Sequence, residues 1–160
     1  LEAKNKSNRG RTKKVRIEIP QGQLMSLSSC EAVEFLSTLA RYNIESLSPA
    51  LSTRFVRITI VNPDLTERIT IDLGLEYIDL RSGRSATTGE MSIVEIKQDG
   101  NTTSVAKEIL RELRVKPLKI SKYCLGTALT VEGIKRNRMI EKIRRIEKRI
   151  GYNNIIVSNI

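Results

Sequence analysis

Histidine and tryptophan are both missing from the 160 residues, and aromatic side chains make up only 4%. Without histidine there can be no Cys/His zinc site, no serine–histidine triad and no phosphohistidine intermediate. Cysteine is scarce as well: Cys30 and Cys124 stand far apart and match no metal or redox spacing. Free thiols suit a reducing compartment. No apolar run approaches the ~20 residues of a membrane span, and no signal peptide is visible, so the expected location is cytoplasmic. The first residue is Leu1 rather than Met, inside an apparent strand. The chain is therefore expected to be a fragment trimmed before its natural start.

Positive charge is what the chain has in excess. Lys and Arg number 28 against 18 Asp and Glu, a formal net charge of +10, with a pI near 9.9. Such a balance implies an anionic partner: nucleic acid, a membrane surface, or a phosphorylated small molecule or polymer. Composition alone puts nucleic acid first. Against it, the basic residues lack interleaved Phe or Tyr for base stacking, and no RNA-recognition, zinc-finger or KH signature appears. With 39% hydrophobic and 29% charged residues, the chain is long enough for one domain with a real core.

Periodicity and turn chemistry predict the elements. Strands are expected at 1–6 and 12–19, joined by "SNRG", and at 54–62 and 66–73, joined by the proline-bearing hairpin signal "NPDL". A short strand at 75–80 leads into "RSGRSATTGE", read as a polar, mobile loop, and a further strand follows at 91–98. Helices are expected at 28–42, with Ser28 or Ser29 as N-cap and an apolar stripe of Ala32, Leu36, Leu39 and Ala40, and at 103–114, with Val105, Ile109 and Leu113 on one face and Leu110 beside them. "KPLKISKYC" reads as extended after Pro117, and 131–150 as a basic amphipathic helix with Met139, Ile143, Ile146 and Ile150 in its stripe. One domain is expected over 1–150, with 151–160 a tail or last strand. Hairpin-linked strands with inserted helices favour α+β with an antiparallel sheet.

The strands share a pattern. Glu2, Lys4 and Lys6 alternate along the first; Lys14, Arg16 and Glu18 oppose Val15, Ile17 and Ile19 on the second. Arg57 and Thr59 oppose Val56, Ile58 and Ile60; Arg68, Thr70 and Asp72 oppose Ile69, Ile71 and Leu73; Glu95 and Lys97 alternate with Val94 and Ile96. One reading is a half-exposed antiparallel sheet, charged side in water. The other is a closed barrel whose charged faces line a tunnel while helices cover the apolar outside. The charged faces are rich in Arg and Lys, hold single carboxylates and are poor in Ser, Asn and Gln, which suits a lumen for a polyanion. A lone carboxylate there makes sense as a ligand to a cation that bridges phosphates.

"LEAKNKSNRGRTKKVRI", "RFVRITIVNPDLTERITIDL", "MSIVEIKQDG" and "LKISKYCLGTAL" together resemble the bacterial branch of the VTC-domain proteins, in order and over nearly the whole chain. Those are polyphosphate polymerases with a triphosphate-tunnel barrel related to CYTH enzymes. The resemblance implies an antiparallel β-barrel with a charged lumen and helices outside, incomplete at the N-terminus because strands with paired arginines should precede Leu1. It implies a phosphotransferase that moves the terminal phosphoryl group of ATP onto polyphosphate with Mn2+ or Mg2+. By position, the phosphate-binding residues fall on Lys4, Lys14, Arg16, Arg57, Arg68, Lys97 and Lys122, with Arg57, Arg68 and Lys122 catalytic, and the metal-binding glutamate on Glu95. Glu2 and Asp72 are candidate partners for the arginines, outside the site set.

The expected chemistry needs no general base, since the attacking oxygen of a polyphosphate end is already ionised at neutral pH. Two alternatives share the fold: a non-catalytic tunnel that binds polyphosphate or nucleotide, and a tunnel triphosphatase, whose E-x-E-x-K motif the retained "LEAK" does not supply. The helix at 131–150 reads first as a solvated face with pairs such as Glu141–Arg145. Its second reading is a docking face for acidic lipid or a charged protein.

Overall fold

The computed structural model describes residues 1–6, 12–20, 22, 30–39, 46–100, 103–151 and 155–158. It divides into two compact units, Leu1–Pro49 and Ala50–Ile160.

In the first unit, strands β1 (Glu2–Lys6) and β2 (Thr12–Arg16) form an antiparallel pair. Their register sets Glu2 against Arg16 and Lys4 against Lys14, and the Ile17 amide donates to the Leu1 carbonyl at 3.0 Å. Helix α1 (Cys30–Leu39) follows, with Ala32 and Phe35 buried. The expected caps Ser28 and Ser29, and Ala40 of the stripe, lie outside the described residues.

The second unit is built on a five-stranded antiparallel sheet of β3 (Leu51–Val61), β4 (Glu67–Asp79), β5 (Ser85–Thr87), β6 (Ile93–Gln98) and β7 (Ile156–Ser158). The path runs β3-β4-β5-β7, with β6 paired to the first half of β4. The fold is thus α+β with antiparallel sheets, and neither sheet closes on itself among the described residues. The "NPDL" hairpin forms as the sequence predicts. Asn62 fastens it, its Nδ2 donating to Thr66 Oγ1 and its Oδ1 accepting from the Glu67 amide, both at 2.8 Å.

Four local expectations need correction. The strands expected at 66–73 and 75–80 are one strand, β4, bent by a bulge. Arg54 pairs with Glu76 and Val56 with Leu73, so two steps of β3 face three of β4, and Gly74 takes up the extra residue at φ 59°. That conformation costs glycine no Cβ clash. The supposed mobile loop contains β5, whose Ala86 is buried and paired with Tyr77; Thr88 beside it is fully buried. "SKYC" is not extended: helix α3 runs Lys122–Thr130, with the Ser121 hydroxyl accepting from the Cys124 amide at 3.4 Å. Leu125, Ala128 and Leu129, at i, i+3 and i+4, form its buried face. The last helix, α4 (Asn137–Ile150), begins after a turn at Gly133 (φ 71°) rather than at residue 131. Helix α2 (Val105–Glu112) is capped by Ser104, whose hydroxyl accepts from the Lys107 amide at 3.0 Å and donates to the buried Glu67 carboxylate. The terminal segment supplies β7 as a last strand beside β5.

The core gathers Leu75 and Tyr77 of β4, Ala86, Met91, Leu125 and Leu129 of α3, and Ile146 of α4. Gly126 makes the α3–sheet approach possible. A Cβ there would stand 2.3 Å from Tyr77 Cδ1 and 2.8 Å from Leu51 Cδ2.

The helices do not all cover the apolar side of the sheet. Leu51, Tyr77 and Phe55 share a face with Arg57, and α3 packs on that face. On the opposite face Val56, Ile58 and Ile60 are 66%, 46% and 49% exposed. The reason is the bulge: it moves Leu75 and Tyr77 onto the face that carries Asp72, so the core forms there.

Candidate phosphate-binding site

The site grows out of strand register. Arg57 pairs with Asp72, Thr70 with both Thr59 and Glu95, and Arg68 with Lys97. Directly paired residues share a face, so the polar set of three strands stands on one side.

Asp72 is at the centre, with its side chain 1% exposed. Arg57 donates to it through two parallel bonds, Nε to Oδ1 at 2.6 Å and Nη2 to Oδ2 at 2.8 Å. Lys122 reaches Oδ2 at 2.5 Å from the first residue of α3. A buried carboxylate would ordinarily be pushed toward its neutral form. Here the hydrogen bonds from Arg57, supported by Lys122, hold its pKa down to about 2. Both cations also lie over the ring of Phe55, with Arg57 Cζ at 5.1 Å and Lys122 Nζ at 5.0 Å from its centroid. Phe55 sits opposite the bulge, where β3 has one residue against two. Two cations and one carboxylate leave one positive charge, and Arg57 remains 43% exposed.

Glu95 continues the face. Its carboxylate lies 3.3 Å from Lys97 Nζ, and both side chains are about half exposed. The Asp72 hydrogen bonds, reinforced by the charge of Glu95, raise the Arg57 pKa. Thr70, between Asp72 and Glu95 in the pairing, has a buried hydroxyl with no hydrogen-bond partner among the described residues. Arg68 is exposed opposite Lys97. Two like charges placed directly across a ladder repel unless an anion lies between them.

The structure therefore brings Arg57 and Lys122 together on Asp72, with Glu95, Lys97 and Arg68 along the same face. Lys4, Lys14 and Arg16 belong to the other unit. There Lys4 and Arg16 both hold Glu2, the lysine at 2.7 Å. Hydrogen bonds from Lys4 and then Arg16 lower the Glu2 pKa to about 2.

Phe55 carried no signal in the sequence beyond standing two residues before Arg57. Asp72 had the right alternation but no sign that it would be the buried anchor. As for a divalent cation, among the described residues no three acidic, histidine or cysteine side chains cluster to hold one. Glu95 fits a narrower role, because Mg2+-type sites take one or two carboxylates and complete their shell with substrate phosphates and water.

Residues 1–131 match the VTC domain family. The chain belongs to that family, and membership assigns it a polyphosphate-related function. No curated protein and no solved structure matches it significantly. Among the described residues, no helix is long and apolar enough to cross a membrane.

Proposed function

We propose that this VTC-family chain belongs to a phosphotransferase that extends polyphosphate with the terminal phosphoryl group of ATP. The observation that carries the reading is the Arg57–Asp72–Lys122 cluster on Phe55: two cations fixed in advance, with charge left over for a phosphate. Arg68 and Lys97 extend that positive track along the strands. In this reading the charged face is one wall of a triphosphate tunnel in the cytoplasm, and Lys4, Lys14 and Arg16 of the first unit are phosphate ligands as well.

Phosphoryl transfer depends on positioning and charge neutralisation more than on covalent chemistry. An ionised terminal oxygen of polyphosphate attacks the γ-phosphorus of ATP. The bond to the β–γ bridging oxygen breaks, and ADP leaves with that electron pair. Arg57, its Nε and Nη2 taken by Asp72, offers the remaining Nη1 donors and its charge to the transferring group, and Lys122 adds a compact charge beside it. Arg68 and Lys97 hold the accepting chain in line. Glu95 would ligate Mn2+ or Mg2+, which supplies charge neutralisation between the phosphates when bound. No residue needs to act as a general base, and the lack of histidine is no obstacle.

A binding-only domain is the second reading, favoured by the single carboxylate that Glu95 offers a cation. The deciding assay follows ADP release and polymer growth from ATP and Mn2+, beside polyphosphate retention on the same protein. ADP release with chain growth supports the polymerase. Retention without turnover gives the binding-only reading, and neither retention nor turnover removes both.

A further inference from the structure

Helix α2 is strongly amphipathic yet buries none of its residues. Its Val105, Ile109 and Leu113 are exposed to solvent, and on its Leu110 side lies a cleft of about 1140 Å³ with further walls from β6, the 115–120 segment and the end of α4. Ile96, Leu110, Ile120 and Ile146 make its floor and sides. Val94 and Ile96 turn away from Glu95 and Lys97 along β6, while Ile93, paired with Asp72, lines the cleft from the other face where β6 begins. None of Arg57, Arg68, Asp72, Glu95, Lys97 and Lys122 lines it.

Its rim is cationic. Arg111, Arg114 and Lys116 line it and make no ion pair among the described residues, while Glu90 is the one carboxylate in the lining. Arg149, also at the rim, donates to the Lys116 carbonyl at 3.1 Å, which ties the 115–120 segment to α4. Arg114 itself is unusual. Helix α2 ends with the Val115 amide bonded to the Leu110 carbonyl and the Arg114 amide to Arg111, and Arg114 stands at φ 57°. That is the left-handed position after a helix, where glycine is favoured and a side chain is strained. A strained arginine at the mouth of an apolar cleft points to a ligand.

We propose that this cleft binds a single acyl chain carrying a phosphate head group. The apolar floor excludes a free polyanion, and the three unpaired rim cations exclude a neutral oil. Small-ligand pockets run to about 1,000 Å³, apolar with a few placed polar groups, and this cleft has that size and lining. Arginine forks at the mouth match a phosphate monoester.

The test uses 1-oleoyl lysophosphatidate below its micellar concentration, titrated into the whole chain and followed by calorimetry. Saturable one-to-one binding is expected, with mono-oleoylglycerol and inorganic phosphate each at least about tenfold weaker. Arg111→Gln should weaken lysophosphatidate by about fivefold to tenfold. Arg114→Gly removes the charge while relieving the backbone, so it should lose lipid affinity with its urea midpoint unchanged or raised. Arg57→Ala should bind lipid normally. No binding, equal affinity for mono-oleoylglycerol, or full affinity in Arg114→Gly overturns the proposal. So does self-association that closes the cleft, seen as a lipid-indifferent dimer in sedimentation.

Discussion

Asp72 takes both donors of the Arg57 fork, Nε at 2.6 Å and Nη2 at 2.8 Å, across adjacent strands and out of contact with water. The pairing fixes the plane of the guanidinium before any phosphate arrives. It also ties the site to the fold, because the anchor is buried and its second partner, Lys122, is the first residue of α3.

Acid should therefore loosen the second unit. The folded-state pKa of Asp72 is depressed from an ordinary 3.8 to about 2. Its contribution is fully present above about pH 4 and disappears as pH falls through 2. On the order of 2 kcal/mol should be lost across that window, read as a falling urea midpoint between pH 5 and pH 2. Asp72→Asn should start less stable and show a shallower decline. A midpoint that falls just as steeply in Asp72→Asn would place the acid sensitivity elsewhere.

Glu95 and Arg68 should separate turnover from binding. Glu95→Gln keeps shape and volume, so strand β6 should stay packed. Metal-dependent ADP release should drop sharply, with polyphosphate retention intact or slightly stronger. Arg68→Ala removes a charge-assisted partner worth roughly 1.5–3 kcal/mol and should weaken both. Normal turnover in Glu95→Gln would move the metal site away from β6.

Gly126→Ala should damage stability and site together. The added methyl meets the Tyr77 ring and Leu51, and overpacking of this kind costs about 1–3 kcal/mol. If α3 shifts to relieve it, Lys122 leaves Asp72. Denaturation and polyphosphate affinity should both fall, whereas Cys124→Ala, at an exposed position of the same helix, should change neither by much. Unaltered polyphosphate affinity in a destabilised Gly126→Ala would show that the position of α3 does not govern the site.

Polyphosphate should bind more tightly than duplex DNA of equal charge at the same salt. Both release counterions, but only the flexible, unstacked chain can follow a strip of side chains along three strands. The measurement is a competition titration at two salt concentrations. Equal affinity, or a preference for DNA, would return the net charge of +10 to its simplest interpretation.

Alternation made the charged face of β3, the first half of β4 and β6 legible, and the turn residues around Asn62 located their hairpin. Helix α3 was not legible for a physical reason. "KYCLGTALT" contains a glycine and two threonines, all weak helix formers, and follows a proline and β-branched residues. It is helical because Ser121 caps it and because Leu125, Ala128 and Leu129 fit the sheet, which is tertiary information. The role of Phe55 was hidden likewise: it depends on a lysine from 67 residues further along, brought over the ring by that same helix.

The bulge at Gly74 acts on β4 as a shift of frame acts on a message. Before it, odd-numbered residues such as Ile69 and Ile71 face away from Asp72; after it, the odd-numbered Leu75 and Tyr77 face the same way as Asp72. A strand that ran straight through residue 74 would carry unbroken alternation onward and turn Leu75, Tyr77 and Asp79 to the opposite side, exposing the core while leaving every side chain chemically the same. Deleting Gly74 would instead leave all three on the Asp72 side, with Leu75 opposite Phe55. The frame is therefore held by the left-handed backbone at residue 74, which glycine adopts freely and a β-branched residue resists.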